Sequence, residues 1–388
     1  MFNPFNPKYP MDPEFFANRK EEIKRFERDL KRTLDSKLPE NIAILGDWGV
    51  GKSSLAYKLA HLAANTKGAK ILSTGIGVPR TIKSMDDMCF LLLYKLNQDI
   101  ASSMNITNKL REEIKKWSIQ TLEIGPFGIG RRGEEHPKMP FTQLHSKLVE
   151  LWQEYLAREG VDAVTIVIDD VHHLVEAVKG GILDLRSVFQ DLPRYGCNYQ
   201  LILTGPKMLF SDVRELAEPM TRFFSTYEID NMDFDGTKEM IQFPLRKTKT
   251  GIRIEEDVLS DIYDKTRGHP YFIAFFMQII LEEANGKIIN LPFYEKTVPL
   301  IFRELETQKF GKDLRITSDA EKMLLFRISQ LPKEEFLLRD VAESKKTVPK
   351  LLNRLVEKGI AIKTGRGRYK LYHPLFKEFL KTSHREDR

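Results

Sequence analysis

At 388 residues, with 41% apolar and 30% charged side chains, the chain is too long for one ordinary core and too polar for a membrane-embedded protein. No run approaches the roughly 18 apolar residues of a membrane span, the nearest being Phe272 to Leu281, and two cysteines, Cys89 and Cys197, exclude a disulfide framework and predict reduced core thiols in a cytoplasmic protein. The net charge of +6 and the pI near 9.0 permit an acidic partner without demanding one.

Met1 to Pro13 is rich in Pro and Asn and lacks the basic and apolar regions of a secretory signal. Residues 12 to 34 read as a loop leading into an amphipathic helix, with Ile23, Phe26 and Leu30 at helical spacing. The short apolar run Ile42-Ala43-Ile44-Leu45 has strand character, and Leu55, Leu59, Leu62 and Ala63 recur as on a helix. Between them lies Gly46-Asp47-Trp48-Gly49-Val50-Gly51-Lys52-Ser53-Ser54, a match to G-x-x-x-x-G-K-[ST] in the strand–loop–helix context that the pattern requires.

The spelling of this loop follows from phosphate chemistry. Gly46, Gly49 and Gly51 let backbone N–H groups close on phosphate oxygens where a Cβ would block the approach or the φ values needed. Lys52 is placed for the β- and γ-phosphates and Ser53 for Mg²⁺, while the helix beginning near Gly51 points its positive end at the anion. ATP or ADP with Mg²⁺ is therefore the expected ligand. Phe16 and Arg19 are candidates for adenine contact, against the alternative of a core aromatic and a solvated arginine.

Residues 69 to 74 look like the next strand. A long insertion near 80 to 140 follows, with a helix pattern at Met88, Leu91, Leu92 and Leu96 and a Gly-rich loop or hairpin composition over Thr121 to Arg132. A helix over Leu144 to Leu156 leads to Val164-Thr165-Ile166-Val167-Ile168-Asp169-Asp170. This apolar run is what a central parallel strand needs, and its two carboxylates fall at the strand's C-terminal edge, where ligands of open α/β sheets sit. Asp169 is placed to hold Mg²⁺ through water and Asp170 to orient or deprotonate the attacking water; N-capping of a following helix is the competing reading. Tyr199 to Gly205 forms a further strand containing Thr204, and Arg222 precedes the strand-like Ser225 to Ile229.

Residues 252 to 310 read as a helical domain, with a linker near Phe310 to Thr317. From Ser318 the pattern is three helices, the third over Thr347 to Lys358, then a hairpin tipped by Gly365-Arg366-Gly367: a winged helix-turn-helix order. Residues 345 to 370 carry nine basic side chains against one acid, Glu357, so the charge of the whole chain is concentrated here. Lys345, Lys346, Lys350 and Arg354 suit a helix in the major groove of double-stranded DNA, and Lys363, Arg366 and Arg368 suit a wing on the phosphates.

The glycine loop, Asp169-Asp170, Thr204, Arg222 and Thr266-Arg267-Gly268-His269-Pro270-Tyr271 together resemble the archaeal AAA+/STAND P-loop ATPases, relatives of the NB-ARC switches and of origin-recognition ATPases. The resemblance implies an α/β fold with an ASCE-type parallel sheet over 1–235, a helical lid over 236–312 and a winged helix over 313–388. It also implies that Thr204 senses the γ-phosphate and that Arg222 reaches a neighbour's nucleotide. Gly268, His269 and Pro270 correspond to the Gly-x-Pro with which such lids pack on base and sugar. Where initiator ATPases carry a sensor arginine this chain has Tyr271, and Asp170 stands where most relatives have the longer Glu. Tyr372-His373-Pro374 resembles the Met-His-Asp segment that holds ADP in NB-ARC proteins, with Pro374 departing from the pattern; a structural role for His373 is the alternative. The functions implied are a slow ATPase switch coupled to DNA, a STAND-type scaffold with a protein partner, or an initiator-type loader that self-assembles. No membrane role is expected.

Overall fold

The computed structural model describes residues 2–103, 106–122, 139–210, 214–284, 286, 288–341 and 347–386. The chain divides into two compact units, one formed by Lys8–Asn231 and the other by Met1–Pro7 together with Met232–Arg388.

The first unit is built on five parallel strands, β1 (Asn41–Leu45), β2 (Ile71–Gly77), β3 (Ala163–Asp169), β4 (Tyr199–Gly205) and β5 (Phe224–Glu228), in the spatial order β2-β3-β4-β1-β5. Every residue of β1, β3 and β4 is buried, as a parallel sheet covered on both faces demands. Alternation along β1 shows the two layers. Ile42 and Ile44 join Val167 and Ile202 beneath Leu55 and Leu59 of helix α2 (Lys52–Ala64), and Phe26 and Leu30 of helix α1 (Lys20–Ser36) close that side. Ala43 and Leu45 face the opposite layer with Ile166, Ile168, Leu201 and Leu203. Each such aliphatic side chain contributes about 1.5–3 kcal/mol of burial.

The insertion supplies much of that second layer. Its helices Met85–Ser102 and Asn108–Leu122 bury Met88, Leu92, Leu96, Leu110 and Ile114 in the same core, and Ser84 caps the first by accepting from the Asp87 N–H at 3.1 Å. The Gly-rich stretch expected after it falls, from residue 123 to 138, outside the described residues. β2 starts at Ile71 and runs on to Gly77, beyond the expected limits. Gly75 lets it do so, because a Cβ there would lie 2.5 Å from Cε1 of Tyr57 on α2. Strand order matters most for function: β4 lies between β1 and β3, with Ile44 opposite Thr204 and Ile168 opposite Leu203, so three strand ends share one edge.

The second unit begins with the helices Phe234–Lys247, Glu256–Thr266, Pro270–Glu283 and Leu291–Leu305 and the short pair β6 (Arg253–Ile254) and β7 (Ile288–Ile289). The expected linker from Phe310 is instead helical through Arg315. Phe310 explains the difference: it is buried among the rings of Phe272, Phe376 and Phe379, and a buried aromatic anchors its backbone. Helix Asp319–Ser329 starts with a reciprocal cap between Ser318 and Glu321. Then come β8 (Glu335–Leu337), helices Leu338–Val341 and Thr347–Glu357, β9 (Ala361–Gly365), β10 (Arg368–Leu371) and helix Pro374–Glu386, the strands pairing antiparallel in the order β8-β10-β9.

Candidate nucleotide site

The loop leaves β1 at Gly46, whose N–H donates to the Gly205 carbonyl at 3.2 Å and stitches the ends of β1 and β4 together. A Cβ at Gly46 would lie 2.6 Å from the Ile229 carbonyl oxygen and 2.8 Å from Cγ2 of Val50, so the chain turns here only as glycine. Gly49 and Gly51 take φ of 76° and 95°, a region side chains disfavour. A Cβ at Gly51 would meet no atom of the described residues within 4 Å, which leaves open space over the helix N-terminus. Lys52 opens α2 and folds back so that Nζ donates to the Asp47 carbonyl at 2.8 Å. Burial lowers the pKa of this ammonium, and the nearby charges of Asp170, Asp169 and Asp47 offset the effect only in part. A desolvated cation above a glycine loop fits a phosphate group, which would restore the lost solvation.

The carboxylate edge sits beside it. Asp169, at the end of β3, accepts through one oxygen, Oδ1, from Ser53 Oγ at 2.9 Å and from Thr204 Oγ1. The Thr204 hydroxyl also accepts the Asp170 N–H at 3.0 Å, so one side chain of β4 fixes both carboxylate residues of β3. Burial raises the pKa of Asp169, against which the bonds from Thr204 and Ser53 work. Backbone bonds complete the frame: Val78 N–H to the Asp169 carbonyl at 2.9 Å and Val171 N–H to the Thr204 carbonyl at 3.0 Å. Asp170 has φ of 55° and a side chain 49% exposed, the one half-open carboxylate of the pair. The Asp169 carboxyl group beside a serine hydroxyl offers hard oxygen donors, which fits Mg²⁺.

Other candidates from the sequence take different places. Ser54 accepts the Met11 N–H at 2.9 Å and so ties the N-terminal segment to α2. Trp48 is 46% exposed on the loop, and Val50 is buried beneath it. Phe16 is a core residue, buried with Val50, Leu55 and Ile229. Arg19 is not solvated: its guanidinium donates to the Val50 carbonyl at 3.3 Å and to the Asp230 carbonyl, clasping the loop to the chain after β5. Sequence reading missed this clasp because its acceptors are backbone carbonyls, which any residue carries. Arg222 lies on helix Arg214–Phe223, 76% exposed and paired with Glu218 on the same face.

The remaining candidates belong to the second unit. Arg267 and Gly268 end helix Glu256–Thr266 in the left-handed region, with φ of 50° and 67°. A Cβ at Gly268 would lie 1.8 Å from the Met232 carbonyl oxygen, while Met232 N–H donates to the Gly268 carbonyl at 2.8 Å. The glycine is thus required by a backbone-on-backbone approach. His269 caps and Pro270 opens the next helix. His373, read from sequence either as a phosphate ligand or as a structural residue, is held inside the second unit. It is buried, Nε2 donates to the Thr266 carbonyl at 2.8 Å, and Nδ1 accepts the Leu375 N–H at 3.1 Å, so both ring nitrogens have partners within the unit. Burial lowers its pKa to about 4, so the ring is neutral.

Lys350, Arg354, Lys363, Arg366 and Arg368 are all exposed, on helix Thr347–Glu357 and on the β9–β10 hairpin. Lys345 and Lys346 lie outside the described residues. Lys358, counted in the same basic stretch, is diverted: its Nζ meets Oε2 of the buried Glu321 at 2.6 Å. Sequence reading also passed over His172 and His173, which follow Asp169-Asp170 after one residue. Their ring centroids stand 4.1 Å apart, and His173 Nδ1 bonds the Val78 carbonyl at 2.7 Å.

No family model matches the sequence, and no curated protein matches it. Solved structures do. The Walker-type ATPase PABY2304 of Pyrococcus abyssi superposes with a TM-score of 0.58 at 15% identity, covering 94% of this chain and 96% of that one. The ORC2 protein of Aeropyrum pernix, solved with ADPNP and ADP, gives 0.61 at 14% identity, with 95% and 94% covered. The ORC1 protein of the same organism, solved in complex with DNA, gives 0.50 at 13% identity, with 96% and 94% covered. At such identities the likeness is one of fold, a parallel α/β sheet and the elements that follow it, shared with a Walker-type ATPase and two ORC proteins over nearly the full length of each chain.

Proposed function

We propose that this chain binds ATP at the C-terminal edge of its parallel sheet and hydrolyses it to ADP and phosphate, as the switch of a DNA-associated protein. The observation that carries the reading is the convergence of Ser53 and Thr204 on one carboxylate oxygen of Asp169 beside a glycine loop and the half-buried Lys52. In this reading Lys52 and the loop N–H groups bind the phosphates, and Ser53 and Asp169 hold Mg²⁺, which neutralises phosphate charge when bound. Thr204 keeps Asp169 and Asp170 in register, and Asp170, half exposed, is the group that can accept a proton from water. The likeness of the fold to a Walker-type ATPase and to an ORC2 protein solved with ADPNP and ADP supports this assignment.

The coupling to double-stranded DNA rests on charge. Lys350 and Arg354 on one helix and Lys363, Arg366 and Arg368 on the adjoining hairpin are exposed, in the helix and hairpin order of a winged helix, and a similar fold has been solved on DNA. One observation favours the alternative, a scaffold whose C-terminal elements serve an intramolecular role and meet a protein partner. His373 and Tyr372 lock those elements onto the helices Glu256–Thr266 and Pro270–Glu283, through the Thr266 carbonyl and a stack of Tyr372 on Phe272. Duplex binding measured across salt with ATP, ADP and no nucleotide separates the two. The DNA reading expects affinity that falls steeply with salt and changes with nucleotide; the alternative expects none at physiological salt.

A further inference from the structure

We propose that His172 is a positioning residue of the hydrolytic site, holding the Asp170 carboxylate toward the attacking water; the proposal rests on the nucleotide reading given above. His172 opens the short helix His172–Ala177 directly behind the carboxylate edge. Its Nδ1 is shielded from solvent and has no hydrogen-bond partner among the described residues. The Oδ1 of Asp170 stands 3.9 Å from that nitrogen, just beyond hydrogen-bond reach.

A shielded ring nitrogen without a partner is rare in a folded protein and calls for one. Here one partner can move and the other cannot. The Asp170 side chain is half exposed while its N–H is fixed on Thr204 Oγ1 at 3.0 Å, so the carboxylate can swing about a held backbone. The His172 ring is braced at 4.1 Å against His173, which is itself pinned to the Val78 carbonyl at 2.7 Å. Burial, and then the neighbouring His173, lower the pKa of His172, which favours the neutral ring with one N–H to give.

Closing the gap places that proton, on Nδ1, against one carboxylate oxygen of Asp170 and turns the other oxygen outward. The chemistry served is hydrolysis of the terminal anhydride. The water oxygen bonds to the γ-phosphorus as the bond from that phosphorus to the bridging oxygen breaks. Its proton passes to the Asp170 carboxylate and on to solvent, and ADP leaves with the bonding electron pair. His172 touches none of the reacting atoms; it sets the direction of the group that does.

The test is steady-state ATPase kinetics with nucleotide affinity read from the fluorescence of Trp48, the exposed one of the three tryptophans. His172→Ala is expected to lower kcat by about 10- to 100-fold with KM and affinity changed less than about 2-fold. His172→Asn, whose amide nitrogen sits where Nδ1 sits, should recover much of the rate, and His172→Gln should not. In an Asp170→Ala background His172→Ala should cost nothing further. Unchanged kcat in His172→Ala, an equal loss in the Asp170→Ala background, or Asn no better than Gln overturns the proposal while leaving the nucleotide site standing. Failure of the unaltered chain to bind ATP overturns the site reading and this proposal with it.

Discussion

Two polar clusters, one in each unit, use lysine and aspartate to opposite ends. At the sheet edge, Ser53 and Thr204 both spend their hydroxyls on one oxygen of Asp169, and half-buried Lys52 donates, among the described residues, to the Asp47 carbonyl alone. In the aromatic seam of the second unit, the Tyr372 hydroxyl donates to Asp313 at 2.7 Å, Lys309 meets both oxygens of the same carboxylate at 2.8 Å, and His373 has a partner on each nitrogen. The first cluster concentrates charge that its own partners do not neutralise, the second closes on itself. A ligand site is built by leaving charge uncompensated in a place that water cannot fully reach, and a strut by compensating all of it.

Glycines give the strongest way to break this contrast. Gly268→Ala drives a Cβ to 1.8 Å from the Met232 carbonyl at a left-handed φ, and should destabilise the protein by roughly 4 kcal/mol in denaturant unfolding. Gly51→Ala, with φ of 95° and open space around it, should cost only about 1–2 kcal/mol of backbone strain while weakening nucleotide affinity. Equal stability losses would remove the distinction.

Lys52→Ala comes next: nucleotide affinity should fall at least about 100-fold, roughly 2.7 kcal/mol, without loss of the unfolding midpoint, since the ammonium is poorly solvated where it lies. His373→Ala should do the reverse, costing about 2–3 kcal/mol of stability with nucleotide affinity unchanged. A titration sharpens the same point. Folding lowers the His373 pKa from 6.5 to about 4, so the unfolded chain binds more protons between those values. The contribution of His373 is then fully present above pH 6.5 and declines as pH falls towards 4, by up to about 3 kcal/mol. Denaturant midpoints of the native chain and of His373→Gln should converge as pH drops through that window. The smallest stability effect belongs to the surface: reversing Lys350, Arg354, Arg366 and Arg368 together should leave each site within about 0.5 kcal/mol of neutral. The slope of log affinity for a DNA duplex against log salt should nevertheless shrink by about 0.9 for each phosphate that the chain then leaves unneutralised.

The amino-acid order alone determined the glycine loop, the apolar strand ending in two aspartates, Thr204 and the basic helix and hairpin, because these depend on residue type at short spacing and on the backbone geometry that spacing allows. It also marked Gly268, His269 and His373, with nucleotide contact as the reading the resemblance implies and, for His373, a structural role beside it. Only the tertiary structure decided what they touch. Gly268 is required by Met232, 36 positions earlier, and His373 is spent on Thr266, 107 positions earlier. Arg19 is spent on Val50 and Asp230, acceptors that carry no mark in the sequence. In the same way β4 slid between β1 and β3 and brought Thr204 to Asp169, a meeting set by strand order in the sheet. The reason is physical: φ preference, charge and hydrophobic period act within a few residues and are written locally, whereas the partner that satisfies a buried nitrogen or excludes a Cβ exists only once distant segments have packed.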